Sequence, residues 1–484
     1  MKSFRCLSLI LALPSAVFLL GGCTGIDSAN SAAAPTAPST AAVSWDSVPA
    51  ILARIKPPTF PNRDFPITNY GAQAGGSVDS TDALRQAIAA CNAAGGGRVV
   101  VPAGVFLTGA IHLKSNVNLY VSAGATLRFS TDPNAYLPVV RTRWEGVEVM
   151  NYSPFIYAFE QENIAVTGPG TLDGGAALEN WWGWAKKGDA KTTRATADVL
   201  ALTALAERKV PVAERVFGAG HFLRPAFFQP YLCKNILVED VTILRSPMWE
   251  ITPVLSSNIT VRGLKIDTHG PNNDGCNPDS CRDVLIENCV FDTGDDCIAI
   301  KSGRNDDGRR VGVPSENIVI RNCAMKDGHG GVVIGSEISG DCRNVFVENC
   351  VMDSPHLERA LRFKSNARRG GIVENIFMRN VTVGQVAEAI LTIDFMYEEG
   401  AKGEHMPTVR HVVMENITSK NSPRVFYVTS FQGATIDDIL IRNCTFAGIT
   451  SSELIQNAGR ITLDHVNIVP AKKTASLSTR DGPP

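Results

Sequence analysis

The sequence predicts an all-β fold, a solenoid of the parallel β-helix type, with an N-terminal capping helix and a partly helical insertion. Two observations carry this. Similar strand-like segments open at Asn235, Asn258, Asp283, Asn317, Asn344, Asn375, His411, Asp438 and Arg460, spaced by 22 to 36 residues. Apolar residues alternate within each segment, and no helix-forming stretch separates the units, which excludes leucine-rich and helical repeats. The second observation is a column of alternating charge: Glu239, Arg262, Glu287, Arg321, Glu348, Arg379, Glu415 and Arg442. On stacked coils each charge sits between two of opposite sign, the favourable cross-strand arrangement. This column is expected to face solvent.

Two further columns follow from the same register. Asn288, Asn322, Asn349, Asn380, Asn416 and Asn443 are expected to stack as an internal amide ladder. Cys289, Cys323, Cys350 and Cys444 come directly after four of them. They read as buried thiols packing as small apolar residues, with disulfides along the stack the lesser alternative.

Taken in order, residues 1–22 read as a signal peptide: Lys2 and Arg5, then an apolar run from Leu7 to Leu20, then small residues. Leu20, Gly21, Gly22 and Cys23 resemble a bacterial lipobox. The resemblance implies export and a lipid anchor at Cys23, in the outer membrane or periplasm or at the cell surface. Residues 23–56 read as an Ala/Ser/Thr/Pro-rich tether, residues 57–470 as the β-helix domain, and residues 471–484 as a tail. Ser80-Thr81-Asp82 starts the capping helix, with Ala83, Leu84, Ala87, Ile88 and Cys91 on one face and Gly95–Gly97 at its end. Residues 175–230 interrupt the repeat with Trp181, Trp182, Trp184 and a helical stretch from Ala190 to Arg208, and are read as an insertion at one edge. The net charge of −2 argues against nucleic acid as a partner.

Four motifs fall at the same end of neighbouring units: Asn272-Asn273-Asp274, Asp295-Asp296, Gly328-His329-Gly330 and Arg362-Phe363-Lys364. Each alone has a bland reading. Asp-Gly pairs are common in turns, Gly-His-Gly is ordinarily a loop, and Arg362 with Lys364 would otherwise be a solvated pair. Asp295 and Asp296 are adjacent, so both reach one cleft only at an irregular corner. Together the motifs offer acid, base and fixed positive charge, the set needed to split a glycosidic bond beside an acidic sugar. Three carboxylates close together cannot all ionise cheaply, so one is expected to keep a proton near neutral pH.

These motifs resemble the four signatures of the polygalacturonases, glycoside hydrolase family 28, over roughly residues 60–470. The resemblance implies a right-handed parallel β-helix that hydrolyses pectic galacturonan with inversion, needing no cofactor or metal. It implies Asp295 as general acid, Asp274 and Asp296 as activators of water, and His329 as a support for the acid's protonation. Asn272, Arg362, Lys364 and Tyr397 would bind substrate. Asn273 and Phe363 depart from the usual Thr and Ile. Asn277 stands where many members carry Asp, which leaves Asp279 without a role. Inversion calls for about 6.5–9.5 Å between acid and base.

The chain adds three excursions, 175–230, 302–314 and 394–406, expected to share one rim and to close one end of the groove. Arg304, Arg309, Arg310 and Lys402 are expected there to meet the carboxylate of a terminal galacturonate. The expectation is exo attack from the non-reducing end of a pectic polysaccharide or oligogalacturonide, by a monomer. The rivals are a rhamnogalacturonan-type glycosidase, a calcium-dependent pectate lyase and a non-catalytic polysaccharide-binding β-helix.

Overall fold

Each sequence unit forms a strand lying parallel to the strand of the next, because alternating apolar side chains are buried only when coils stack in register. The computed structural model describes residues 43–185 and 192–471. The expected signal peptide, Cys23, most of the tether and residues 472–484 lie outside the described residues. The largest sheet has 23 strands. The charge column is in register throughout, Glu239 opposite Arg262, then Glu287, Arg321, Glu348, Arg379, Glu415 and Arg442. A second face carries six strands, from Ile298–Ile300 to Leu454–Gln456. Single bridges from Phe228 through Ile251 and Cys276 to Ile298 extend this face backwards. The architecture is the right-handed parallel β-helix, the hand that parallel crossovers take. One apolar core runs through the coils from Ile67 to Ile449. All ten cysteines among the described residues are free and buried, as packing thiols.

The helix Thr81–Ala93 buries the expected face against the first coils. Its first amide, Thr81 N, donates to Asp79 Oδ1 at 2.9 Å, so the N-terminal cap comes from Asp79 rather than Ser80. At its end Gly96 has φ 110°, and a Cβ there would lie 2.6 Å from the Asn116 carbonyl.

Three expectations are corrected. Asn288, Asn322, Asn349, Asn380, Asn416 and Asn443 are exposed, with φ between 52° and 56°. They turn the outer corner of each coil in the left-handed region that Asn tolerates, so their ladder is external. An unforeseen ladder runs through the residues that open the units: the Asn344 amide donates to Asn317 and Asn375 to Asn344, at 3.1 and 3.0 Å. The Glu/Arg column is only partly exposed; the Glu287 and Glu348 side chains retain 11 % accessibility beneath Arg321 and Arg379. The stretch after Ser44, assigned above to the tether, is ordered. Val48–Arg54 is a helix, and Val48, Ile51 and Ile55 pack on an outer column of Leu285, Val319, Phe346, Phe377 and Val413. Those outward apolar side chains need a cover, and this helix supplies it.

The insertion contains the helices Trp182–Ala185 and Thr196–Glu207. Its return strand Val216–Phe217 extends the hairpin Val140–Trp144/Val147–Asn151, the one antiparallel pair among the described strands. Leu202, Ala206, Phe217 and Leu223 share a small core with Trp144, Val149 and Trp249, which holds the insertion to the catalytic end of the coils.

Candidate active site

The second face brings the four motifs together because their coils are neighbours. Gly275 N donates to the Asp296 carbonyl at 3.0 Å, which sets Asp274 beside Asp296 on adjacent coils. Val333 pairs with Arg362, which carries the groove on to Arg362 and Lys364. Residues 294–297 between the strands Val290–Thr293 and Ile298–Ile300 form an irregular corner, so Asp295 and Asp296 both serve one groove. Oxygens of Asp274, Asp295 and Asp296 lie within 4.8 Å of one another. This is shorter than the acid–base spacing expected for inversion. The reason is the scaffold: Asp295 and Asp296 are consecutive, and Asp274 lies on the neighbouring coil, about 4.7–4.9 Å away.

His329 Nδ1 lies 3.0 Å from Asp295 Oδ1. Lys364 Nζ donates to Asp296 Oδ2 at 2.6 Å, and Arg362 Nη1 stands 3.6 Å from Asp296 Oδ1. The two cations share one face, as two-residue spacing in a strand requires. Arg362 Nε is buried without a hydrogen-bond partner among the described residues. Tyr397 lies under both cations, its ring 5.9 Å from the Arg362 guanidinium and 5.5 Å from Lys364 Nζ. Asn272 has φ 55°, and its Oδ1 accepts from Arg224 Nη2 at 2.6 Å. All eight predicted site residues are therefore in or beside one groove.

Sequence reasoning missed several neighbours. Lys301 is buried, 3.0 Å from Glu337 Oε2 and 3.6 Å from Asp274 Oδ2, with its ammonium 4.4 Å from the Trp249 ring. It directly follows the strand Ile298–Ile300. Glu145, Glu337 and Glu398 also line the groove. Asn277 donates to Asp274 Oδ2 at 2.8 Å. Asp279 forms a wholly buried ion pair with Arg143 at 2.7 Å, which pins the antiparallel hairpin to the coils. Its role is structural.

The charges divide the three acids. Burial, and then the neighbouring Asp295 carboxylate, pushes Asp274 well above the usual carboxylate range, against the pull of Lys301. Burial would raise Asp295 too, but the His329 hydrogen bond and the Lys364 ammonium outweigh it and hold it at about 2. The same hydrogen bond raises His329 to about 9. These surroundings favour a proton on Asp274 and ionisation of Asp295.

The excursions do share a rim. Helix Thr196–Glu207 packs on helix Asn305–Val311. Arg368 bonds Glu207, Arg369 Nη2 reaches Glu398 at 2.6 Å, and Arg304 pairs with Glu145 at 2.9 Å. The cations expected to face a substrate carboxylate are otherwise engaged. Arg304 ties Glu145, Arg309 ties Asp306, and Arg310 ties Asp307 and Glu148. Carboxylates of the rim itself claim them first. Lys402 is exposed.

Residues 220–470 match the model of the family described as Glycosyl hydrolases family 28. The chain belongs to that family. It resembles a solved structure titled a hyperthermoactive exopolygalacturonase from Thermotoga maritima, with 44 % identity and a TM-score of 0.85 over 88 % of this chain and 96 % of that one. A probable polygalacturonase of Vitis vinifera is 30 % identical over 329 residues, which are 66 % of this chain and 60 % of that protein's length. An exo-poly-alpha-D-galacturonosidase of Dickeya chrysanthemi is 27 % identical over 429 residues, 80 % of this chain and 68 % of the relative. As a family 28 glycoside hydrolase, the chain carries its acids in the groove described above.

Proposed function

We propose that this protein hydrolyses α-1,4-galacturonosidic bonds of polygalacturonate, releasing mono- or digalacturonate from the non-reducing end with inversion. The convergence of three carboxylates with His329, Arg362 and Lys364 in one groove carries the reading. Asp295 donates its proton to the glycosidic oxygen as the C–O bond breaks, and water attacks the anomeric carbon from the opposite side. Asp274 and Asp296 take the proton of that water. Two oxygens each about 2.8 Å from one water stand at most about 5.6 Å apart, so a water fits between carboxylates held within 4.8 Å.

A completed turnover leaves the water's proton on Asp274 and Asp295 ionised, the distribution that the surroundings of the two acids favour. Resetting it means moving one proton from Asp274 to Asp295. The substrate's own carboxylate assists. Lys364 is one of the charges that hold Asp295 low, and a uronate bound to Lys364 and Arg362 cancels that field. Binding an acidic sugar thus loads the acid, and a neutral ester at the same position should lower kcat as well as raise KM.

Exo attack is supported by the joined excursions and by the exo titles of the Thermotoga maritima and Dickeya chrysanthemi relatives. The same reading takes the protein as an exported monomer anchored at Cys23. Polygalacturonate digestion followed by product size, viscosity and proton NMR tests the proposal. Mono- or digalacturonate should appear from the start, first as the β-anomer, with slow viscosity loss and no sensitivity to chelators. An early ladder of oligomers overturns exo attack, an initial α-anomer overturns inversion, and unsaturated products overturn hydrolysis.

A further inference from the structure

The wall that closes the groove has a second side. Ala185 and Thr193 line a recess that joins the catalytic groove at Glu145 and Asn272. Their chain neighbours Trp184 and Arg194 line a separate, outer cavity of about 440 Å³ between the insertion and the segment of Thr131, Pro133 and Asn134. The outer cavity holds none of the catalytic acids.

Its lining has the parts of a sugar site. Trp184 and Phe222 meet edge to face at 5.3 Å and give apolar surface of the kind that packs on a pyranose face. Arg194 lies with its guanidinium carbon 4.0 Å from the Phe222 ring centre, exposed at the rim and held in place by the ring. Trp181 is 1 % exposed, lines the cavity, and its Nε1–H has no hydrogen-bond partner among the described residues. A buried N–H left unpaired is costly unless a ligand or water meets it. Asn134 and Glu179 at the mouth offer an amide and a carboxylate, which suit hydroxyl groups.

We propose that this cavity is a second, non-catalytic site for an acidic pyranose. The sugar packs against Trp184 and Phe222, takes a hydrogen bond from Trp181, and sets its carboxylate on Arg194, whose planar fork matches that group. The identity of the sugar as galacturonate rests on the function proposed above. Its source is either the released product or a residue of the polymer.

Calorimetric titration of the full protein with galacturonate, which has no bond to hydrolyse, tests this. Two equivalents should bind to the wild type and one to Arg194→Ala, with the affinity of the lost site reduced at least about tenfold. Initial rates on trigalacturonate should be unchanged in that variant. Neutral galactose should fail to occupy the outer site. One equivalent in the wild type, two in Arg194→Ala, or equal binding of galactose overturns the proposal. In Asp295→Asn protein, an Arg194-dependent preference for hexagalacturonate over galacturonate assigns the occupant to the polymer, and equal affinity assigns it to the product. Arg194-dependent binding in a protein that releases no sugar from polygalacturonate would leave this site standing while the catalytic proposal fell.

Discussion

The surroundings of the acids favour a proton on Asp274 and ionisation of Asp295, whereas the proposed chemistry starts from the reverse. The difference comes from neighbours: His329 and Lys364 hold Asp295 down, whereas burial raises Asp274. Replacing Asp295 by Asn removes the transferable proton while keeping the shape. We expect kcat to fall about 100- to 10,000-fold with KM little changed, checked by steady-state kinetics; near wild-type turnover would rule Asp295 out as the acid. His329 reports the same pair. Its imidazolium is stabilised by Asp295, so it should titrate at about 9 by NMR. In Asp295→Asn protein it should return toward its ordinary value of about 6.5. A raised folded-state value means that the pair's contribution to stability is complete below about 6.5 and is lost as pH rises through about 9. The difference in Tm between wild type and His329→Gln should shrink over that interval.

At the scale of elements, the helix Val48–Arg54 is the part that sequence reading misplaced. Ala/Ser/Thr/Pro composition describes residues 27–44 well, but Trp45, Val48, Ile51, Leu52 and Ile55 carry helical spacing that the composition hid. Its partner surface was hidden as well. Leu285, Val319, Phe346, Phe377 and Val413 occupy an outward position of each unit, between two inward ones, and alternation alone assigns them to solvent. If the helix is docked as described, Ile51→Ala should cost about 2–5 kcal/mol, measured by chemical denaturation. A change within about 0.5 kcal/mol, usual for surface sites, would make the segment a free tether after all. The charge column behaved otherwise: its partners lie on successive units, so an eightfold alternation was legible before any coil was seen.

At the scale of the molecule, the proposed attack at a chain end depends on segments far apart in sequence. Arg368, in the turn after Lys364, bonds Glu207 in the insertion helix and Glu399 in the 394–406 excursion, and so ties the two together. Cutting this tie with Arg368→Ala should loosen the closed end while leaving the acids in place. We expect a larger share of products longer than digalacturonate and a faster viscosity loss per bond cleaved. An unchanged product distribution would show that the wall holds without this link.

The repeat period, the coil register, the buried cysteines and the convergence of Asp274, Asp295, Asp296, His329, Arg362 and Lys364 were determined by the sequence alone. These follow from local alternation repeated along the chain, and in a solenoid each unit contacts its neighbours, so sequence order maps directly onto space. Tertiary structure decided the rest. The Asn column lies outside because the backbone turns left-handed at each corner, Arg304 and Arg310 are held by Glu145 and Glu148 of a distant hairpin, and burial favours the proton on Asp274. Each of these depends on which groups meet across more than one coil and how much water is excluded between them, and no local pattern of residues encodes that.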